Sequence, residues 1–127
     1  MTKPIKTMTK AHDLGKKAEK LAASYLQKSG YVLLAKNYRY LKGEVDLIVQ
    51  KGNTLVAVEV KARTIGFILA PDQAVSSKKI KLVVAAVDHF VQSRELDVEV
   101  RFDLITYVFE ADRWEQNHIE DAFYPFG

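Results

Sequence analysis

Cysteine is absent from the 127 residues, which excludes a disulfide framework, a thiolate zinc site and a cysteine nucleophile. Histidine is scarce as well: His12, His89 and His118 are too scattered to suggest a histidine-based metal cluster. A bound metal would therefore have to rest on carboxylate oxygens. Long apolar runs are missing too. The longest, residues 31–35 and 82–87, are far too short to span a bilayer, and residues 1–10 are polar with no apolar signal core. The expectation is a soluble, cytoplasmic protein with no membrane partner. Surplus charge is small: a net +3 permits a polyanionic partner through local lysine patches without announcing one. Neither an internal repeat nor a low-complexity segment is present.

What is there suits one globular domain, since 48% of residues are hydrophobic and the length allows a single core. Residues 1–12 show no periodicity and read as a mobile basic tail, leaving one domain over 13–127. From Asp13, a candidate N-cap, Leu14, Ala18, Leu21, Ala22, Tyr25 and Leu26 follow helical spacing until Gly30 stops the pattern. Residues 31–40 read as a strand, and Leu41, Lys42 and Gly43 make a turn into a second strand over 44–50. Gly52 and Asn53 then close a tight hairpin onto a third strand over 54–63. Ser76 or Ser77 caps a second helix with apolar positions Leu82, Val83, Ala86, Val87, Phe90 and Val91. A strand over 98–110 and a short edge strand over 114–119 complete the order α-β-β-β-α-β-(β). This order implies an α/β fold with a mixed sheet flanked by helices.

The hairpin register carries the chemistry. With Lys51 opposite Thr54, Asp46 is set across from Glu59 and Glu44 across from Lys61. Directly opposed residues have β-carbons roughly 4.5–5.5 Å apart, and two carboxylates so placed repel unless a proton or cation lies between them. Hard oxygen donors of this kind suit Mg2+ or Mn2+, which use one or two carboxylates and keep positions for water and phosphate oxygens. Such an ion polarises a phosphoryl oxygen and acidifies bound water, while Lys61 is placed to orient that water or neutralise developing charge. Read blandly, the same residues are ordinary strand salt bridges; the register and the flanking helices favour the chemical reading.

The segment Gly43-Glu44-Val45-Asp46-Leu47-Ile48, followed by Val58-Glu59-Val60-Lys61-Ala62-Arg63, closely resembles the bacterial YraN-type family. Residues 15–19 with Ala22 and Tyr25-Leu26, Gly30-Tyr31, Asn37-Tyr38-Arg39, 71–75 with Lys78, Arg101-Phe102-Asp103 and 118–123 match in the same order. That family looks like a branch of the PD-(D/E)xK nucleases, similar in layout to archaeal Holliday-junction resolvases. The resemblance implies a restriction-endonuclease-like core and magnesium-dependent cleavage of DNA. By matching position, Asp46 and Glu59 would ligate the metal, Lys61 would serve the attacking water, Glu19 would reach the site from the first helix as a further ligand, and Gln73 would support it. Two departures, Ala18 for a glycine and Ala62 for a threonine, leave those residues untouched.

Around this centre, Gly15 and Ala22 offer a small-residue lane along which Glu19 can approach the sheet. Glu44 reads first as the salt-bridge partner that orients Lys61 and second as a further outer-sphere metal group. Arg39, Lys42 and Arg63 flank the hairpin where they could hold phosphates, with Lys78, Lys79 and Lys81 extending a basic strip, while each taken singly reads as a surface charge. Arg101 and Asp103 are assigned to structure first, and Tyr31, Tyr38, Tyr40, Phe90 and Trp114 to packing. The leading expectation is a Mg2+-dependent DNA endonuclease selective for branched or damaged structures, since no segment offers a helix for reading sequence in the major groove. A homodimer follows only by analogy with junction cleavage. The alternative is a nucleic-acid-binding or scaffold module of the same fold with weak or no cleavage.

Overall fold

The computed structural model describes the backbone of residues 3–64 and 76–123, with side chains from Asp13 onward. The element order is α1 (Lys3–Lys28), β1 (Val32–Tyr40), β2 (Gly43–Lys51), β3 (Thr54–Thr64), α2 (Ser77–Ser93), β4 (Glu99–Glu110) and β5 (Arg113–Ile119). The five strands lie in one sheet in sequence order; β3 and β4 are parallel and the other neighbouring pairs antiparallel. This is the mixed sheet with two helices that the hydrophobic patterning predicts.

One boundary differs. The helix begins at Lys3, ten residues before Asp13, so the backbone of residues 3–12 is helical where the sequence suggests a tail. Pro4 falls in the first turn, where its missing N–H has no intrahelical acceptor, and no proline follows within the helix to break it. At the other end Gly30 takes φ +96, and the Tyr31 amide bonds the Leu26 carbonyl, a glycine-terminated helix end of the expected kind.

Helices cover both faces of the sheet. Ala18, Ala22 and Leu26 of α1 pack on Leu47, Val49, Val56, Val58, Ile105 and Tyr107. Val83, Ala86 and Phe90 of α2 pack on Val45, Ile48, Leu55, Ala57 and Leu104. Complete burial of residues such as Leu26 and Leu47 contributes about 1.5–3 kcal/mol each. The close approach of α1 comes from Ala18 and Ala22, both fully buried, and not from Gly15, at which an added β-carbon would meet nothing within 4 Å. Gly43 has the opposite character. A β-carbon there would overlap the Leu82 carbonyl, so the absence of a side chain lets the first turns of α2 lie directly on the start of β2.

Candidate active site

The β2–β3 hairpin pairs in the predicted register from Lys51↔Thr54 to Leu47↔Val58, and there the paired ladder stops. Asp46 and Glu59 are the next residues along. They are not a ladder pair, as the sequence register had them; the strands part, and side chains replace the ladder. The Asp46 carboxylate accepts from the Val60 amide at 2.8 Å, and Glu59 Oε2 accepts from the Asp46 amide at 3.4 Å. Each acid thus holds the other strand's backbone.

A local reversal in the two preceding strands explains the parting. Along β2, Leu47 and Val49 face α1 while Val45 faces α2, which breaks the two-residue alternation at Asp46. The neighbouring β1 does the same: Ala35 and Tyr38 share the α2 face, and between them Asn37 takes φ +49. Asn37 and Asp46 fall between the ladder pairs Lys36↔Leu47 and Tyr38↔Val45. Asparagine tolerates this left-handed conformation better than most residues. Its side chain reaches Glu19 on α1, with Nδ2 3.4 and 3.5 Å from the two carboxylate oxygens.

Burial sets the electrostatics. Glu59 is 1% exposed, and its Oε1 lies 3.1 Å from Lys79 Nζ on α2, off hydrogen-bond geometry, so this buried oxygen has a counter-charge but no hydrogen bond. Burial first and Glu59 second push the Asp46 carboxyl up to about 7, and Glu19 adds to the push. Burial also raises Glu59, against the pull of Lys79. Lys61 is lowered, chiefly by burial and then by the adjacent Lys79. For Lys79 itself, burial opposes the charge, but Glu59, Lys61 and Asp46 together outweigh it and hold the ammonium above its ordinary value.

Two crowded carboxylates, one with an unbonded buried oxygen and the other resisting ionisation, form a donor set that a divalent cation would relieve. Among the described residues no three acidic or histidine side chains converge as a complete ligand set. Asp46 and Glu59 together supply the one or two carboxylates that magnesium commonly takes, with water and phosphate oxygens for the rest. The donor chemistry therefore fits. Glu19 bonds Asn37 and lies near enough to Asp46 to raise its carboxyl.

The supporting residues divide. Lys42 and Lys78 line a cavity of about 330 Å³ with Asp46, Ser76 and Lys79, between the β1–β2 turn and the start of α2. Arg39, 76% exposed, pairs with Glu44 at 3.4 Å. Glu44 is thus not the partner of Lys61, because the separation of the strands leaves it beside β1. Arg63 bonds the Ala62 carbonyl. Gln73 lies outside the described residues. Sequence reasoning gave no role to Asn37, whose type in mid-strand was a usable signal, and left Lys79 in a generic basic strip. Its position three residues after the cap Ser76, whose hydroxyl accepts from the Lys79 amide at 3.1 Å, was the available clue.

A second polar cluster lies on the α1 face. Fully buried Asp103 takes two bonds from Arg101, at 2.9 and 3.0 Å, and one from His118 Nε2 at 2.7 Å. His118 Nδ1 in turn meets Tyr25 of α1 at 2.8 Å, and Arg101 donates to Tyr31 at 2.8 Å. Arg101 and Asp103 are thus paired in a structural clamp. His89 stacks on Tyr40 at 4.0 Å between ring centroids and bonds Tyr38. Trp114 remains 44% exposed with its edge on Tyr107.

Known proteins resemble the chain over nearly its whole length. Residues 18–107 match the family described as Uncharacterised protein family UPF0102. A UPF0102 protein of Christiangramia forsetii is 46% identical over 119 residues, covering 94% of this chain and 100% of that relative. One from Flavobacterium psychrophilum is 44% identical with the same coverage, and one from Parabacteroides distasonis is 41% identical over 92% of this chain and 97% of its own length. With likeness of this extent joined to the motifs on β2 and β3, the chain belongs to the UPF0102 family, the YraN family.

Proposed function

We propose that the protein is a divalent-metal-dependent endonuclease that hydrolyses phosphodiester bonds in DNA, with Asp46 and Glu59 as metal ligands and Lys61 beside the attacking water. The observation that carries this reading is the half-buried Asp46 and buried Glu59, each held by a backbone amide of the facing strand and accompanied by Lys61 and Lys79, where β2 and β3 part and Asp46 opens on a cavity lined by Lys42 and Lys78. Bound magnesium or manganese would supply Lewis-acid polarisation of the phosphoryl oxygen and acidification of water. Asp46 is fixed by the Val60 amide and Glu59 by the Asp46 amide, so both ligands are preorganised and little is lost in orienting them. Lys61, half-buried and with a lowered pKa, is suited to hold a water or hydroxide and to balance negative charge developing on the phosphoryl oxygens. Lys42 and Lys78 meet backbone phosphates without reading bases, which favours selection by DNA shape over sequence.

A scaffold reading, in which the fold binds nucleic acid without cutting it, draws on the Lys79–Glu59 ion pair, since that ammonium already occupies the carboxylate. Incubation of duplex, single-stranded, flap and four-way-junction DNA with Mg2+ or Mn2+ separates the two readings. The wild type is expected to cleave at least one substrate only with metal, and Asp46→Ala to bind it without cutting. Metal-independent binding with no cleavage by the wild type would favour the scaffold.

A further inference from the structure

Lys79 is more than a surface lysine at the start of a helix. It sits in the first turn of α2, which contains no acidic residue and in which Lys78 precedes it. Two cations at a helix N-terminus oppose the macrodipole, so the helix gains nothing from them. The contact Lys79 does make is incomplete: its ammonium is 3.1 Å from a fully buried Glu59 oxygen but off hydrogen-bond geometry, and its side chain is 38% exposed toward the cavity that Asp46, Ser76, Lys42 and Lys78 also line. A permanent buried ion pair is stable only with good geometry and saturated hydrogen bonds. Lysine's four-carbon stem and freely turning ammonium suit a partner that changes.

We propose that Lys79 is an exchangeable counter-ion, which neutralises Glu59 while the carboxylate pair is metal-free and turns into the adjoining cavity to hold a backbone phosphate of the nucleic acid when a divalent cation takes its place. This rests on the metal-site reading above. The charges are consistent with it. With both acids ionised and both lysines charged, Asp46 and Glu59 against Lys61 and Lys79 cancel, so a divalent ion that displaces the Asp46 proton leaves two surplus positive charges for the anions of the reaction, a phosphodiester and a hydroxide. The site then attracts a polyanion only after loading, which couples the order of binding to the charge of one lysine.

The test is a calorimetric titration of Mn2+ into wild type, Lys79→Gln and Lys79→Arg at about pH 8, where protons compete little. It is joined to duplex-DNA binding in calcium at several salt concentrations. Lys79→Gln is expected to bind Mn2+ on the order of tenfold more tightly, the scale of one displaced neighbouring charge. The same variant should bind DNA more weakly, with a salt slope smaller by about one. Lys79→Arg should follow the wild type in slope. Equal or weaker Mn2+ binding by Lys79→Gln, or an unchanged salt slope, overturns the proposal while leaving the metal site standing. If neither wild type nor variant binds Mn2+, the metal site fails and the exchange with it. Should Lys79→Gln not fold, the Lys79 side-chain resonances of the wild type decide: Mg2+ is expected to shift them, and no shift contradicts the exchange.

Discussion

Asp46 holds its proton because burial and Glu59 both oppose its charge, and its pKa stands at about 7 against an ordinary 3.8. A carboxyl whose folded pKa is raised binds its proton more tightly in the native state. Its stabilising contribution is therefore complete below the unfolded value and is lost as pH rises through the folded one. Thermal melts of the metal-free protein should show stability falling between about pH 4 and pH 7. Asp46→Asn should flatten that dependence, and Mg2+ should reverse the loss at the upper end. An identical pH profile for wild type and Asp46→Asn would show that Asp46 does not titrate in this way. Lys61 is tested differently. Lys61→Met should lower cleavage by about 10²–10³-fold, the scale of losing one preorganised charge, while DNA binding changes little. A parallel loss of binding would make it a phosphate contact instead. Asp46, Glu59 and Lys61 were legible in the sequence because all three lie on one hairpin, whose turn sets the register. Lys79 was not, because its partner lies on another element.

Among the elements, the placement of α2 depends on Gly43. The Leu82 carbonyl occupies the space a side chain would need, so Gly43→Ala must push the helix from β2 and carry Lys79 with it. Overpacking of this kind costs about 1–3 kcal/mol, which urea denaturation would measure; a cost near zero would mean that α2 shifts freely. On the opposite face, α1 is tied to the sheet by Tyr25, His118, Asp103 and Arg101. Asp103→Asn leaves the Arg101 guanidinium, only 22% exposed, without its carboxylate. Breaking a buried pair from one side costs about 3–5 kcal/mol. Denaturation should show that loss. The elements themselves were readable from periodicity and turn residues: Gly30, Gly52 and Ser76 fall where the chain turns or a helix starts. Two features were not readable. The backbone reversal at Asn37 and Asp46 depends on tertiary contact with α1, and the helical start at Lys3 has no apolar stripe to announce it.

In the molecule as a whole, one sheet carries a helix on each face, and the candidate site lies where β2 and β3 part beneath the start of α2. Sequence reasoning reached this architecture because alternating strands and amphipathic helices follow simple periods. It placed Asp46 against Glu59 as a ladder pair because an ideal hairpin continues its register. The irregularity that ends the ladder there is what frees both carboxylates for another partner. Among the described residues no helix is long and apolar enough to cross a membrane. Asp46 and Glu59 are proposed to share one divalent cation, and calorimetric titration of Mn2+ into wild type and Asp46→Ala, at about pH 6 and about pH 8, reads that sharing. One ion per wild-type chain is expected, bound more tightly at the higher pH and with proton release at the lower, and none by Asp46→Ala. Absence of binding by the wild type, or equal binding by Asp46→Ala, would rule out a shared cation.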